Sequence, residues 1–344
     1  MKVLIVTNMV PFVHGGAEEL CFHLVKNIRE YGHEAEAIKI PFTYEPAERI
    51  IEEMVLCKNI CLGNADKVIA LKFPAYLIPC ENKIFWLVHQ YRQAYDLWDA
   101  NQTNIQKDQR GEQIRSFIKN ADNIAFKEAK RIFTVSKVIS KRLKYYNNIE
   151  SISLPSPIND PQNFNGKTQA SYIFAGGRVN SGKRQFLLIQ ALKYAKGVNL
   201  IIAGPPDNQE EAEKIYKIVE EENVKDRVKI DLRFLSREEY ADYVNRSSAV
   251  AYLPFDEDSA GYVTMEAFQA KKPVITTTDS GGVLEIVAHN KTGWVVEPNA
   301  EELGVAMCDA IMNPKKTLEL GEKGRVILDL LGLNWENTIK RLLA

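Results

Sequence analysis

No apolar run in this chain of 344 residues approaches the eighteen or so residues that a membrane-crossing helix needs. The apolar opening at residues 3–6 is interrupted too soon to act as a secretory leader, so a cytoplasmic protein is expected. Cysteine is scarce: Cys21, Cys57, Cys61, Cys80 and Cys308 form neither a C-x-x-C pair nor a Cys/His cluster with zinc spacing. Reduced thiols and no metal centre are therefore expected, with Cys57 and Cys61 packing on one helix face. An excess of either charge is lacking too. Forty-four Lys and Arg face forty-five Asp and Glu, for a net charge of −1, which excludes a whole-chain electrostatic footprint for nucleic acid. Nineteen Gly and fourteen Pro leave no room for a collagen-like or disordered chain. No short-period repeat or low-complexity stretch is present.

What is present is an ordinary globular composition, 45% hydrophobic and 26% charged, at a length that suggests two domains. Short apolar runs alternate with amphipathic segments of ten to sixteen residues, the pattern of βα units winding a parallel sheet. The alternation occurs twice. Strands are predicted at 2–7, 35–40, 68–71, 83–88 and 131–135, with a helix over 17–31, and again at 171–175, 199–203, 228–232, 249–253, 273–276 and 293–296. Between the halves, Pro155, Pro157, Pro161, Asn163, Asn165 and Gly166 break regular structure over 154–168. This predicts an α/β protein of two doubly wound, Rossmann-like domains, residues 1–160 and 168–333, facing each other across a ligand cleft beyond the carboxyl ends of their strands. A last helical stretch over 334–343 carries Trp335, Ile339, Leu342 and Leu343 at helical spacing.

Three clusters carry chemistry. The first βα turn holds Gly15-Gly16 ahead of an apolar-periodic helix, where backbone amides can approach an anion, although G-x-G-x-x-G is absent. The second half opens with a strand followed by Gly176-Gly177-Arg178-Val-Asn-Ser-Gly182-Lys183-Arg184. Gly177 to Lys183 spells G-x-x-x-x-G-K, the phosphate loop of nucleoside triphosphatases, yet Arg184 stands where that loop needs Ser or Thr for Mg²⁺. Anion binding survives the mismatch, because Arg178 and Lys183 beside glycines at a strand end can grip a diphosphate. The third cluster is Asp256-Glu257-Asp258-Ser-Ala-Gly261-Tyr262-Val263-Thr-Met-Glu266, then the turn Asp279-Ser-Gly281-Gly282-Val-Leu-Glu285. Asp258 and Glu266 are candidates to face one pocket and accept paired sugar hydroxyls, while Gly281 and Gly282 would let backbone amides near that ligand. Asp256-Glu257-Asp258 also fits a loose D-x-D metal pattern.

Taken together, Gly15-Gly16-Ala17-Glu18, Arg178 with Lys183, Asp258-x7-Glu266 and Gly281-Gly282-x-x-Glu285 resemble the retaining nucleotide-sugar glycosyltransferases of family 4, with the two-Rossmann GT-B fold. The motifs occur in order over nearly the whole chain. The resemblance implies that Arg178 and Lys183 neutralise the donor diphosphate, Glu266 binds the ribose hydroxyls, and Asp258 contacts the transferred sugar where the family usually has Glu. It further implies Gly15 and Gly16 facing the donor phosphates, His89 near the anomeric carbon, and Arg233, Phe234 and Leu235 reading the base. Gly261, Tyr262 and Val263 fall on the donor side, and 334–344 returns to the first domain. Ser259-Ala260 replaces the usual Gly-Phe, and Lys271-Lys272 stands where a glycine is common, departures that bear on donor identity.

The implied reaction moves a hexose-type sugar, from a UDP-sugar first or GDP-mannose next, to a glycan, lipid-linked or polymer acceptor, with no metal or other cofactor. From Lys107 to Tyr146 eleven basic residues face four acidic ones, a net of +7, a candidate for an anionic acceptor or a peripheral membrane contact. Solvated helix faces are the equal alternative. Trp86, Tyr91, Tyr95 and Trp98 are candidates either to stack on sugar rings or to pack. Two other readings stay open: a P-loop NTPase or kinase, with 249–255 and Asp256 imitating a Walker B strand, and a nucleotide-sugar epimerase or binding protein of the same architecture.

Overall fold

The structure is a computed structural model and describes residues 1–12, 15–166 and 170–344. Val13 and His14 of the first glycine turn, and Thr168, where the sequence reading starts its second domain, lie outside the described residues. The chain divides into two compact units, Met1–Pro157 with Asn334–Ala344, and Ile158–Leu333.

In the first unit the strands are β1 Lys2–Met9, β2 Glu34–Pro41, β3 Lys67–Lys72, β4 Lys83–His89, β5 Arg131–Thr134 and β6 Ile152–Ser153. Its helices are α1 Gly16–Glu30, α2 Ile50–Lys58, α3 Asp96–Asp99, α4 Gln109–Glu128 and α5 Lys137–Asn147. The second unit holds β7 Tyr172–Gly176, β8 Asn199–Ala203, β9 Val228–Asp231, β10 Ala249–Ala251, β11 Val274–Thr277 and β12 Gly293–Val296. Around them run α6 Gln185–Ala191, α7 Gln209–Glu221, α8 Arg237–Arg246, α9 Gly261–Gln269, α10 Ala300–Met312 and α11 Pro314–Leu331. The terminal helix α12, Trp335–Leu343, belongs to the first unit.

Among the described residues each unit has one six-stranded parallel sheet, in the orders β2-β1-β3-β4-β5-β6 and β12-β11-β10-β7-β8-β9. Helices cover both faces, so central strands are buried throughout rather than alternately: all six residues of β3 are buried. Side-chain alternation along β7 sends Ile173 and Ala175 into one apolar layer and Phe174 into the other. In both sheets the chain starts on an interior strand, winds outward one way, then crosses to the other side. The winding reverses between β1 and β3 and between β7 and β10, and the carboxyl ends of such strand pairs are where doubly wound sheets leave room for a ligand.

Helix α11 stops at Gly332, which takes the left-handed conformation (φ 60°). Asn334 then caps α12 by accepting the amide of Asn337 at 2.8 Å. Ile339 and Leu342 enter the first unit's core, and the Trp335 ring meets Trp86 edge-on, centroids 6.1 Å apart. Buried Lys67 donates to the carbonyls of Leu343 (2.6 Å) and Ala344 (3.3 Å), meeting with a cation the carbonyls that a helix end leaves unbonded. Among the described residues no helix is long and apolar enough to cross a membrane. Cys57 is buried in α2, but Cys61 lies beyond that helix and is exposed, so the two do not share a packed face: the helix ends before the spacing can act.

Candidate functional site

At the reversal point of the second unit, three loops leaving β7, β10 and β11 are knitted together. The first follows β7 through Gly177 (φ 104°), whose amide donates to the Ala203 carbonyl at 3.1 Å. Gly204 is required opposite, because a Cβ there would collide with the Gly177 carbonyl. The Asn180 side chain accepts the Lys183 amide at 2.8 Å and closes the turn. The Phe255 amide donates to Gly182 and that of Asp256 to Asp279, at 3.0 and 2.9 Å, joining the first loop to the second and the second to the third.

Arg184 fastens all three. Its guanidinium donates to both Asp279 oxygens at 2.8 and 2.7 Å, to Thr277 Oγ1 at 2.9 Å and to the Pro254 carbonyl at 3.1 Å, while Nε reaches the Leu253 carbonyl at 2.8 Å. This hydrogen bonding from Arg184 holds the Asp279 carboxyl below the usual carboxylate range. The residue that departs from the triphosphatase pattern is thus a structural clamp, occupied by protein where a magnesium ligand would be required.

The two cations expected to bind diphosphate sit on this loop, each with an acidic partner. Arg178, 41% exposed, pairs with Asp207 at 3.2 Å. Lys183 pairs with Glu257, donates to the Tyr252 hydroxyl at 2.9 Å and lies 5.1 Å over its ring. Tyr252 donates in turn to Glu257 at 2.9 Å, and burial together with that carboxylate pushes its hydroxyl pKa well above 10. With Glu257 engaged on Lys183, the Asp256-Glu257-Asp258 run is not arranged as a metal ligand set, and among the described residues no cluster of three His, Cys, Asp or Glu could hold an ion.

Asp258 is half-buried in the loop ahead of α9. Gly261 opens that helix at φ 73°, where a Cβ would lie 2.8 Å from the Tyr252 ring, and half-buried Tyr262 and Val263 follow it in the first turn. Glu266, in the second turn, is buried and bound by Arg237 at 2.6 Å. Gly281 and Gly282 sit where two loops meet. Cβ atoms there would meet the Glu257 carbonyl at 2.5 Å and the Ser259 backbone at 2.6 Å, and the Gly282 amide donates to Glu257 at 2.7 Å. The close approach they permit in this structure is between loops. On the loop after β9, Arg233 pairs with Asp231 and Glu239 at 2.9 and 2.7 Å, Phe234 is 67% exposed and Leu235 is buried. Hydrogen bonds from Arg233 and then from Ser236 draw Glu239 down to about 2.

In the first unit, Gly15 precedes α1 in extended conformation and its carbonyl accepts the Glu19 amide at 3.0 Å; Gly16 is the first helical residue. Lys72 at the end of β3 pairs with Glu18 at 3.8 Å and lies beside His89 in the ladder with β4. His89 Nδ1 is 2.6 Å from the Gln90 carbonyl, which can only accept, so Nδ1 carries a proton and donates it there. Trp86, Tyr91, Tyr95 and Trp98 are all buried and pack in the core, so none is a sugar-stacking platform. The basic 107–146 stretch is divided: Arg115 pairs with Asp99, Arg142 with Asp96 and Lys144 with Glu150, while Lys119 covers Tyr95. Arg110, Lys127, Lys130, Arg131, Lys137 and Lys141 are exposed.

Tyr252, Asp207 and Arg237 escaped the sequence reading as parts of the site, and Glu257 was read there only within the acidic run of the third cluster. Only Arg237 had a local signal, since Ser236-x-x-Glu239 forms a capping box that starts α8 at that residue.

Two Rossmann-like units in one chain, one bearing a cationic glycine loop at its reversal point, define a GT-B fold. HepE of Anabaena, solved in complex with UDP, shares it at TM-score 0.74 and 16% identity, covering 100% of this chain and 98% of that one. Residues 158–326, nearly all of the second unit, match the family described as glycosyl transferases group 1. An uncharacterized glycosyltransferase of Haemophilus influenzae is 27% identical over 193 residues, 54% of this chain and 52% of that protein. An alpha-1,3/1,6-mannosyltransferase of Mus musculus is 32% identical over 136 residues, 38% and 32% of the two. The match thus spans about half the length of the first of these curated relatives and about a third of the second.

Proposed function

We propose that the protein is a retaining glycosyltransferase of family 4 that moves a hexose-type sugar from a nucleoside diphosphate sugar to a glycan, lipid-linked or polymer acceptor in cell-surface polysaccharide or glycoconjugate synthesis. The observation that carries this reading is the pair Arg178 and Lys183 on a glycine loop at the reversal point of a group 1 unit. Cleaving a sugar–diphosphate bond leaves growing negative charge on the departing phosphate, and fixed cations stabilise charge where it forms. Those two side chains do this without a metal. Asp207 and Glu257 hold them in place and yield them to the diphosphate. Asp258 takes the transferred sugar's hydroxyls, Glu266 the ribose, and 233–235 the base, with the first turn of α9, Gly261 to Val263, beside the donor.

Retention follows from attack on the face that the leaving group vacates, with a donor phosphate oxygen receiving the acceptor proton. His89 is proposed near the anomeric carbon and Gly15 with Gly16 near the phosphates. A UDP-sugar is favoured, in keeping with the UDP complex of HepE, and GDP-mannose is next, in keeping with the mannosyltransferase relatives. The exposed cations of 107–146 are proposed to meet an anionic acceptor or the inner membrane face, in the cytoplasm.

Thermal-shift measurement with UDP-, GDP- and ADP-sugars and ATP, each with and without Mg²⁺, tests the reading, because a ligand that binds only the folded state raises its melting temperature. A metal-independent shift with one nucleoside diphosphate sugar is expected. A shift with Mg-ATP alone overturns it.

A further inference from the structure

The Glu266 side chain is 4% exposed, in the second turn of α9. An ionised carboxylate removed from water is stable only with a cation beside it and hydrogen bonds around it. The cation is Arg237, first residue of α8, with Nη1 2.6 Å from Glu266 Oε1. Arg237 is itself held on three further sides. Its Nη2 donates to the Asn159 carbonyl at 2.9 Å, its Nε lies 3.9 Å from Asp160, and its guanidinium stacks 4.7 Å from the centre of the Phe164 ring. The backbone beneath it is fixed as well, because Ser236 and Glu239 close a capping box around the start of α8.

A guanidinium fixed in this way does more than neutralise. It engages Oε1 from a set direction and so sets the plane of the carboxyl group, and a carboxylate has about four lone-pair sites, enough to accept two neighbouring hydroxyls as well. Neutral or turned away, the same group would accept fewer hydrogen bonds and discriminate less. We infer that Arg237 is the positioning residue through which this site selects a nucleotide with an intact ribose over a deoxyribonucleotide. It does so by keeping Glu266 charged and oriented toward the two vicinal hydroxyls. The inference rests on Glu266 as the ribose contact proposed above. Nothing at the level of sequence links residues 237 and 266; the pairing exists only once α8 and α9 pack on the same face of the second sheet.

The test is calorimetric titration of the full chain with UDP and 2′-deoxy-UDP, and with GDP and 2′-deoxy-GDP, in wild type and in Arg237→Met, Arg237→Lys and Glu266→Gln variants. Wild type should prefer the ribonucleotide by about tenfold or more, the scale of a hydrogen bond to a charged group. Arg237→Met should bring that ratio to within about twofold, with the ribonucleotide losing more than the deoxynucleotide, which gives up only the contact of its remaining 3′-hydroxyl. Arg237→Lys, a point charge without the fork, should fall between. In a Glu266→Gln background Arg237→Met should change the ratio no further. A wild-type ratio in Arg237→Met, or equal losses for both nucleotides, overturns the inference and leaves the site reading intact. Wild-type protein that binds none of the four nucleotides overturns both. Should Arg237→Met not fold, Arg237→Lys decides: an unchanged ratio in it refutes the role.

Discussion

Substituting Arg184 by Ser completes the sequence G-x-x-x-x-G-K-S, and so sets the pattern against the structure. By pattern the variant gains a magnesium ligand and becomes a better triphosphatase. By structure it loses the clamp that joins three loops. Truncation leaves the Leu253 and Pro254 carbonyls without their donor, and removes two charge-assisted bonds to Asp279. Asp279 is 30% exposed and recovers part of its hydration, so the cost comes mostly from the two carbonyls. At about 1–3 kcal/mol for each buried unsatisfied group, the loss is about 3 kcal/mol. For a unit of this size that is about 6–12 °C in melting temperature. Differential scanning calorimetry of wild type and variant measures it, alongside phosphate release from Mg-ATP, which should be absent from both. The deficit should also depend on pH. Arg184 holds Asp279 below its ordinary value of 3.8, so the pair stabilises the fold above about pH 4 and its contribution fades as pH falls below. The two melting curves should therefore draw closer in acid without meeting, because the loss at the Leu253 and Pro254 carbonyls does not titrate. A variant that melts with the wild type at pH 7, or that hydrolyses Mg-ATP, refutes the clamp.

Lys183→Ala should lower transferase turnover by about 10²–10³, the scale of one preorganised charge contact, read with whichever donor the binding panel selects. Near wild-type turnover would remove Lys183 from the reaction. Lys67→Met should free the end of α12 at a cost of about 1–2 kcal/mol, seen as faster hydrogen exchange of the Thr338–Leu343 amides than elsewhere in the first unit. Asp122 is enclosed in the first unit, where burial raises its carboxyl to about 7 against the opposing effect of hydrogen bonds from Tyr95 and Tyr76 at 2.7 and 2.9 Å. A raised value means that its contribution is complete below about pH 4 and is lost as pH climbs through 7. Denaturant unfolding should show that decline, and Asp122→Asn should flatten it.

Much of the fold was legible because parallel strands covered on both faces read as uninterrupted apolar runs, and eleven such runs match observed strands. β6 was missed, for two residues leave no periodicity to detect. β10 was drawn two residues too long: Tyr252 and Leu253 are apolar and buried, but they already belong to the loop that supports Lys183. The glycine loop carrying Arg178 and Lys183 was legible because its spacing is local. What the sequence hid is the company they keep. Glu257 follows Lys183 by seventy-four positions and Asp279 follows Arg184 by ninety-five, separations at which only tertiary packing decides contact. Gly281 and Gly282 were legible as places of close approach, and the backbone of residues 257 and 259 makes that approach. Trp86, Tyr91, Tyr95 and Trp98 resolve the other way, as core.

The return of α12 makes the second unit an insertion within the first. The chain leaves the first unit at Pro157 and re-enters it at Asn334, so a ribosome must finish the whole of the inserted unit before Ile339 and Leu342 exist to close the earlier core. Residues made first are therefore completed last. The half that carries His89 waits, with Trp86 and the foot of β3 uncovered, on the half that carries Lys183, and a chain cut short anywhere before residue 334 lacks part of the first core as well as its own missing segment.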